Sequence, residues 1–206
     1  LVSATISITG PAKTQYNIGD EIDLSGYIQE TEDLSGDLQF SLVCNGKTNK
    51  LQAVGIDISA GEKVSFSQLS LPTLTATSSM QGLCKIKADI LVNSAITQTA
   101  SSSTFEITED LEGSFSLDQA QIQLGDTLTL TGTVTDLNGD ALEGSAEIYF
   151  ETQGEEYLMD FVSIDAGTLS YTHSFSSGSA GSYKINLMVR DSYGNEQEFS
   201  SVESFT

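Results

Sequence analysis

Residues 127–134 read TLTLTGTV, and this two-residue beat constrains the fold more than any other feature of the chain. Leu128, Leu130, Gly132 and Val134 fall on one side of an extended backbone, and Thr127, Thr129, Thr131 and Thr133 on the other. Only a strand carries a side-chain period of two; a helix would scatter the same residues around its axis. The beat returns at Tyr183, Ile185, Leu187 and Val189, opposed by Lys184, Asn186, Met188 and Arg190. With β-branched enrichment and breaks of Gly, Asn, Asp and Ser, it predicts half-buried antiparallel strands and no amphipathic helix. The strands fall near 2–9, 21–30, 37–45, 48–57, 61–70, 83–92 and 96–107. A second set falls near 113–122, 126–135, 144–152, 156–164, 168–176, 182–190 and 196–205.

The two sets are copies of one plan. YNIGDEIDLSGYI (16–28) matches IQLGDTLTLTGTV (122–134), and GLCKIKADILV (82–92) matches GSYKINLMVRD (181–191). The strings DLSGD (33–37) and DLNGD (136–140) follow the first pair and read as equivalent turns between the second and third strands. Self-similarity at this spacing predicts two domains of one kind, 1–108 and 109–206. About seven strands per hundred residues predicts an all-β fold of two tandem immunoglobulin-like antiparallel sandwiches. The apolar share of 38% suits sandwiches whose strands bury one face each, and the absence of Trp excludes the antibody-type core.

Charge narrows the partners. Eight basic and 29 acidic side chains give −21; residues 1–108 contribute −5 (six Lys against eleven acids) and residues 109–206 contribute −16 (two against eighteen). A nucleic-acid partner needs a cationic footprint, and anionic membrane surfaces repel such a chain. No run reaches the roughly 18 apolar residues of a membrane span, so direct insertion is not expected. The sequence opens LVSATISITG, with neither Met nor a basic start, which reads as a mature protein or an excised fragment.

GSYKINLMVRDSYGN (181–195) resembles the penultimate strand and turn of prokaryotic cell-surface immunoglobulin-like repeats of the polycystic-kidney-disease type. VTDLNGDALEGSAEIYF (134–150) is similar to the turn between the second and third strands of invasin-type modules. The resemblance implies a non-catalytic stalk, spacer, adhesive or surface-layer component, extracellular or on the cell surface. Its implied partners are neighbouring domains of a longer surface protein, another surface protein, or a glycan. The alternative is a carbohydrate- or protein-binding module that uses loops at one end of a sandwich.

In this topology the third and sixth strands are antiparallel neighbours. Cys44 ends one and Cys84 starts the other, so a disulfide between them is expected, with two separate buried thiols as the alternative. The bridge would replace a corner that Tyr183 supplies in the second copy.

The candidate cofactor is Ca²⁺. Asp136, Asn138 and Asp140 fall at positions 1, 3 and 5 of a calcium loop, with Glu147 at position 12. Ala141 stands where that loop needs Gly, and Asn138–Gly139 is a strong tight-turn signal, so a plain turn is the leading reading. Glu109, Asp110 and Glu112, between the two copies, form a second candidate set, against a solvated acidic linker. No motif for nucleophilic, zinc or phosphate chemistry occurs, and the single His173 reads as a surface or edge-strand residue. Tyr149, Tyr157, Tyr171 and Tyr193 are the aromatic residues available for a sugar platform, most of them expected in or around the core.

Overall fold

The computed structural model describes residues 5–178 and 180–206. The chain divides into two compact units, the first ending at Thr108 and the second spanning Glu109–Thr206. The first unit contains β1 (Thr5–Ile8), β2 (Gln15–Asn17), β3 (Glu21–Ile22), β4 (Gly26–Gln29), β5 (Leu34–Cys44) and β6 (Lys47–Ile58). It continues with β7 (Lys63–Ser65), β8 (Leu74–Thr75), β9 (Gly82–Val92), β10 (Ala95–Ser101) and β11 (Phe105–Thr108). One sheet has the order β1-β4-β7 and a larger one β2-β11-β9-β5-β6, with β10 also paired to β9, and β3 and β8 form a separate antiparallel pair. β2 and β11 run parallel, whereas the long central ladders β5–β6 and β5–β9 are antiparallel.

Between the sheets lie Leu38, Leu42, Ile86, Ile90 and the edge-to-face pairs Phe40–Phe66 (5.1 Å) and Tyr16–Phe105 (5.5 Å). Such ring pairs add about 0.5–1.5 kcal/mol to what area burial gives. Cys44 and Cys84 are direct partners across β5 and β9 with Cα atoms 4.1 Å apart, and their sulfurs are bonded. The expected disulfide is therefore formed, within one sheet and buried.

Several expected strands of this unit are broken, each for a local reason. The stretch 21–30 splits into β3 and β4, because the Ser25 carbonyl accepts from the amides of Thr9 (3.0 Å) and Gly10 (3.2 Å). The stretch 61–70 keeps only β7. Ser65 and Gln68 there form a capping box, Ser67 N donating to Ser65 Oγ (3.3 Å) and Ser65 N to Gln68 Oε1 (2.7 Å). The chain winds into a single 3₁₀ turn, Phe66–Gln68, that buries Phe66. The stretch 96–107 divides at Ser102, whose Oγ accepts the Ile86 amide at 2.9 Å. The expected strand at 2–9 lies partly outside the described residues.

The second unit contains β12 (Leu111–Leu117), β13 (Thr127–Asp136), β14 (Gly144–Thr152), β15 (Glu155–Ile164), β16 (Thr168–Ser174), β17 (Tyr183–Asp191) and β18 (Glu196–Phe205). Its sheets have the orders β12-β13-β16 and β15-β14-β17-β18, all antiparallel, the three-plus-four arrangement of an immunoglobulin-like sandwich. Leu128, Leu130, Val134, Ile148, Leu187 and Val189 are buried between them, as the alternation requires.

Equivalent backbone hydrogen bonds recur inside each unit, along with the residues that make them. Gly19 N donates to Ala76 O (2.9 Å) and Ala76 N to Asp20 O (2.8 Å); Gly125 N donates to Phe175 O (2.7 Å) and Phe175 N to Asp126 O (2.9 Å). Asp20 Oδ2 accepts the Asn17 amide (3.0 Å) as Asp126 Oδ2 accepts that of Gln123 (2.8 Å). The glycines stand at φ 100° and 101°, where a side chain would be strained. This turn is the reason the Gly-Asp pair recurs.

DLSGD and DLNGD are not equivalent, contrary to the sequence reading. Leu34–Asp37 already belongs to β5, whereas Asp136–Asp140 is a turn beyond β13. Strand register places Leu38 opposite Ile90 and Ala146 opposite Val189, so Gly36 corresponds to Gly144. Both glycines serve a close approach. A Cβ on Gly36 would lie 2.4 Å from the Leu91 carbonyl oxygen, and one on Gly144 would lie 2.2 Å from that of Arg190.

Candidate functional site

The proposed calcium residues act first as loop builders. Asp136 is buried, and its Oδ1 accepts the amides of Asn138 and Asp140, both at 2.8 Å. Its own amide donates to Asp140 O at 3.0 Å. Asp191 repeats the device one loop away: Oδ1 accepts the amides of Tyr193, Gly194 and Asn195, each at 2.8 Å, and Asp191 N donates to Asn195 O at 3.0 Å. In both loops the fourth residue is a glycine at positive φ, Gly139 (84°) and Gly194 (96°). Asp136–Asp140 and Asp191–Asn195 are thus five-residue carboxylate-centred turns, a role that the like-spelled DLSGD does not share.

Glu147 lies away from it on β14, bonded to Tyr149 and 3.3 Å from Arg190. Glu109 and Asp110 are exposed between β11 and β12, and Glu112 is exposed opposite Thr135. Among the described residues, no group of three or more His, Cys, Asp or Glu side chains is placed to hold a metal ion.

The tyrosines do not share a face. Tyr171 is in the core, Tyr193 is 67% exposed in the Asp191 turn, and Tyr149 lies on the opposite face of its sheet from the Phe150–Tyr157 pair. No common sugar platform is assembled from the four.

A concave site forms elsewhere, at the end of the second unit that holds Phe205. It is a cleft of about 1060 Å³. Phe150 from β14, Met159 from β15, His173 from β16 and Tyr183 from β17 supply its walls, with Phe175 beyond β16 and Phe205 closing β18. The rings form a continuous set. His173 meets Phe175 edge-on at 4.6 Å, Phe150 meets Phe205 at 5.2 Å, and Tyr183 stacks on Phe205 at 5.2 Å.

The sequence reads His173 as a surface or edge-strand residue. It does sit on an edge strand, but the alternation Leu169–Tyr171–His173–Phe175 turns it inward, and its Nδ1 lies 3.1 Å from the Tyr171 hydroxyl. Burial pushes that phenol up to about 12, with the nearby Asp160 adding to the effect, so it stays protonated and able to donate. The sequence signal for His173 was its parity with three apolar neighbours. The expected Tyr183 corner becomes a ring stack, while Thr152, at the position of Cys44, donates to the Ser182 carbonyl at 3.1 Å.

No family model matches this chain, and no curated protein does. Among solved structures, a β-glycosidase from Bacteroides vulgatus is similar over 96% of this chain at 14% identity and a TM-score of 0.28. The chain spans 24% of that protein's length, and a likeness at this level carries no functional argument.

Proposed function

We propose that this chain is a non-catalytic structural or adhesive part of a secreted or cell-surface protein, serving as a stalk, spacer or surface-layer component. The observation that carries the reading is the buried Cys44–Cys84 bridge in a small β-sandwich, a combination that persists in oxidising compartments. Three features support it further: the strongly acidic surface, the carboxylates engaged in loop building, and the resemblance to prokaryotic surface repeats. Neighbouring domains, another surface protein or a glycan are the partners this role needs. Adhesion is its test. Beads coated with the whole chain are presented to cell envelopes and to a glycan array, beside a panel of glycoside, ester and peptide substrates. Retention without turnover is expected; enzymatic turnover of any substrate, lost with the purified chain's heat denaturation, would overturn the reading.

A second reading is favoured by the cleft: a binding module that takes a ligand at one end of the second unit. Concave sites lined by rings with a few polar groups are where ligands are held.

A further inference from the structure

We propose that the cleft of the second unit binds a neutral, ring-bearing apolar small molecule. This deepens the binding-module reading and rests on it. The cleft is not a requirement of the fold, because the first unit fills the same place. The shared Gly-Asp turn aligns Ile122 with Tyr16 and Phe175 with Ala76. The ladders align Phe150 with Leu42, His173 with Leu74, Tyr183 with Cys84 and Phe205 with Phe105.

In the first unit all six positions are buried. Tyr16 lies against Phe105, the disulfide ties β5 to β9, and Met80 packs on the core from the connection that follows β8. The second unit has the smaller Ile122, no bridge, and a connection after Phe175 whose described residues, Ser176, Ser177, Gly178, Ala180, Gly181 and Ser182, have no side chain large enough to plug the space. Three of its rings are left half-covered: His173, Phe175 and Tyr183 are neither buried nor fully exposed, while Phe150 and Phe205 are buried. Apolar rings held in contact with water are a standing drive to bind an apolar body.

The chemistry of the walls selects the ligand. Among the described residues no Lys, Arg, Asp or Glu lines the cleft, so it offers no fixed counter-charge to an ionised group, which would lose its hydration without compensation. Residues 109–206 carry a net −16, which repels anions further. Edge-to-face and stacked partners favour a planar ring in the ligand. His173 on one wall and the rim hydroxyls of Thr152 and Tyr157 on the other give such a molecule a few polar contacts.

The test uses the full chain and two naphthylamine probes of one shape, neutral N-phenyl-1-naphthylamine and its anionic sulfonate, with fluorescence and the unfolding of the second unit as readouts. The neutral probe is expected to saturate at one per chain, at least tenfold tighter than the sulfonate, and to raise the second unit's midpoint. Ile122→Tyr restores the first unit's filling residue and should weaken the probe at least tenfold. Thr152→Trp, which fills from the rim, keeps the test decisive if Ile122→Tyr does not fold. Equal binding of both probes, or binding untouched by a folded filling variant, overturns the proposal. A glycan bound by the parent chain and lost in the filling variants, with no neutral probe bound, overturns the ligand class while leaving the binding-module reading standing. Loss of all binding overturns both.

Discussion

One end of the sandwich is finished in two ways. In the first unit Tyr16, Leu74, Ala76 and the Cys44–Cys84 bridge close it; in the second, Ile122, His173, Phe175, Thr152 and Tyr183 occupy the same framework and leave a cleft. What the copies keep is backbone: the Gly-Asp turn, the close-approach glycines Gly36 and Gly144, and a bulge that skips Leu51 in β6 and Met159 in β15. What they change is the side chains at one rim. A repeat of this kind separates the residues that set the fold from those free to acquire a task.

Reduction of the disulfide should separate the units most sharply. A bridge closing a loop 40 residues long contributes about 4 kcal/mol in the chain-entropy model, so the first unit's unfolding should move by that amount and the second's stay put. Calorimetry with and without reductant reads both; an equal loss in the second unit would break the comparison.

Next in size are the close-approach glycines. Gly36→Ala and Gly144→Ala each force a Cβ against a carbonyl oxygen and should cost about 2–3 kcal/mol by overpacking. Gly139→Ala, open on all sides but at φ 84°, should cost about 1 kcal/mol. Urea titration of the three variants decides whether Gly36 answers to Gly144 or to Gly139.

Removing a turn carboxylate is a smaller change. Asp136→Ala loses two charge-assisted amide bonds and should destabilise the second unit by about 2 kcal/mol, whereas Asp33, which accepts the Ala60 amide, should matter by about 1 kcal/mol or less. Equal losses would restore the equivalence that the two strings suggest.

The least of these effects concerns Glu30, buried at the end of β4 with neither carboxylate oxygen hydrogen-bonded. Burial raises its pKa, so the ionised form costs the folded first unit stability at neutral pH. That cost is relieved as pH falls through the folded pKa, and the relief is complete near the unfolded value of about 4.3. Glu30→Gln should therefore raise the first unit's midpoint at pH 7 by a few degrees, a gain that shrinks toward pH 4. A pH-independent difference would mean that shape, not charge, is responsible. Millimolar Ca²⁺ and chelator are expected to move neither unit's midpoint, and a shift of the second unit alone would revive Asp136 and Asp140 as ligands.

The strands and core faces were legible because the two-residue period is a direct image of burial: β14 and β18 run where the alternation put them. The disulfide followed from strand order and the positions of the two cysteines. The 3₁₀ turn at Phe66 was written in Ser65 and Gln68, yet SFSQ also alternates like a strand, and the capping bonds decided between them. The DLSGD–DLNGD equivalence misled because five small and acidic residues suit a turn and a strand entry equally, and only register against β9 and β17 distinguishes them. The cleft was least legible. A void is defined by what does not reach it, and here it arises from Ile122, Thr152 and a run of small residues far apart in sequence.

The parallel pairing of β2 with β11 has a mechanical meaning. These strands lie near the beginning and the end of the first unit, with Tyr16 beside Ile107 and Asn17 beside Thr108. Tension applied between the two ends of the unit runs along both strands in opposite senses, so their hydrogen bonds are loaded together in shear instead of being unzipped one by one. The second unit begins the same contact, Thr206 N donating to Ala120 O (3.0 Å) and Ile122 N to Thr206 O (2.8 Å). A shear clamp and a covalent cross-link thus reside together in the first unit, where force that ruptures the clamp cannot extend the chain between Cys44 and Cys84.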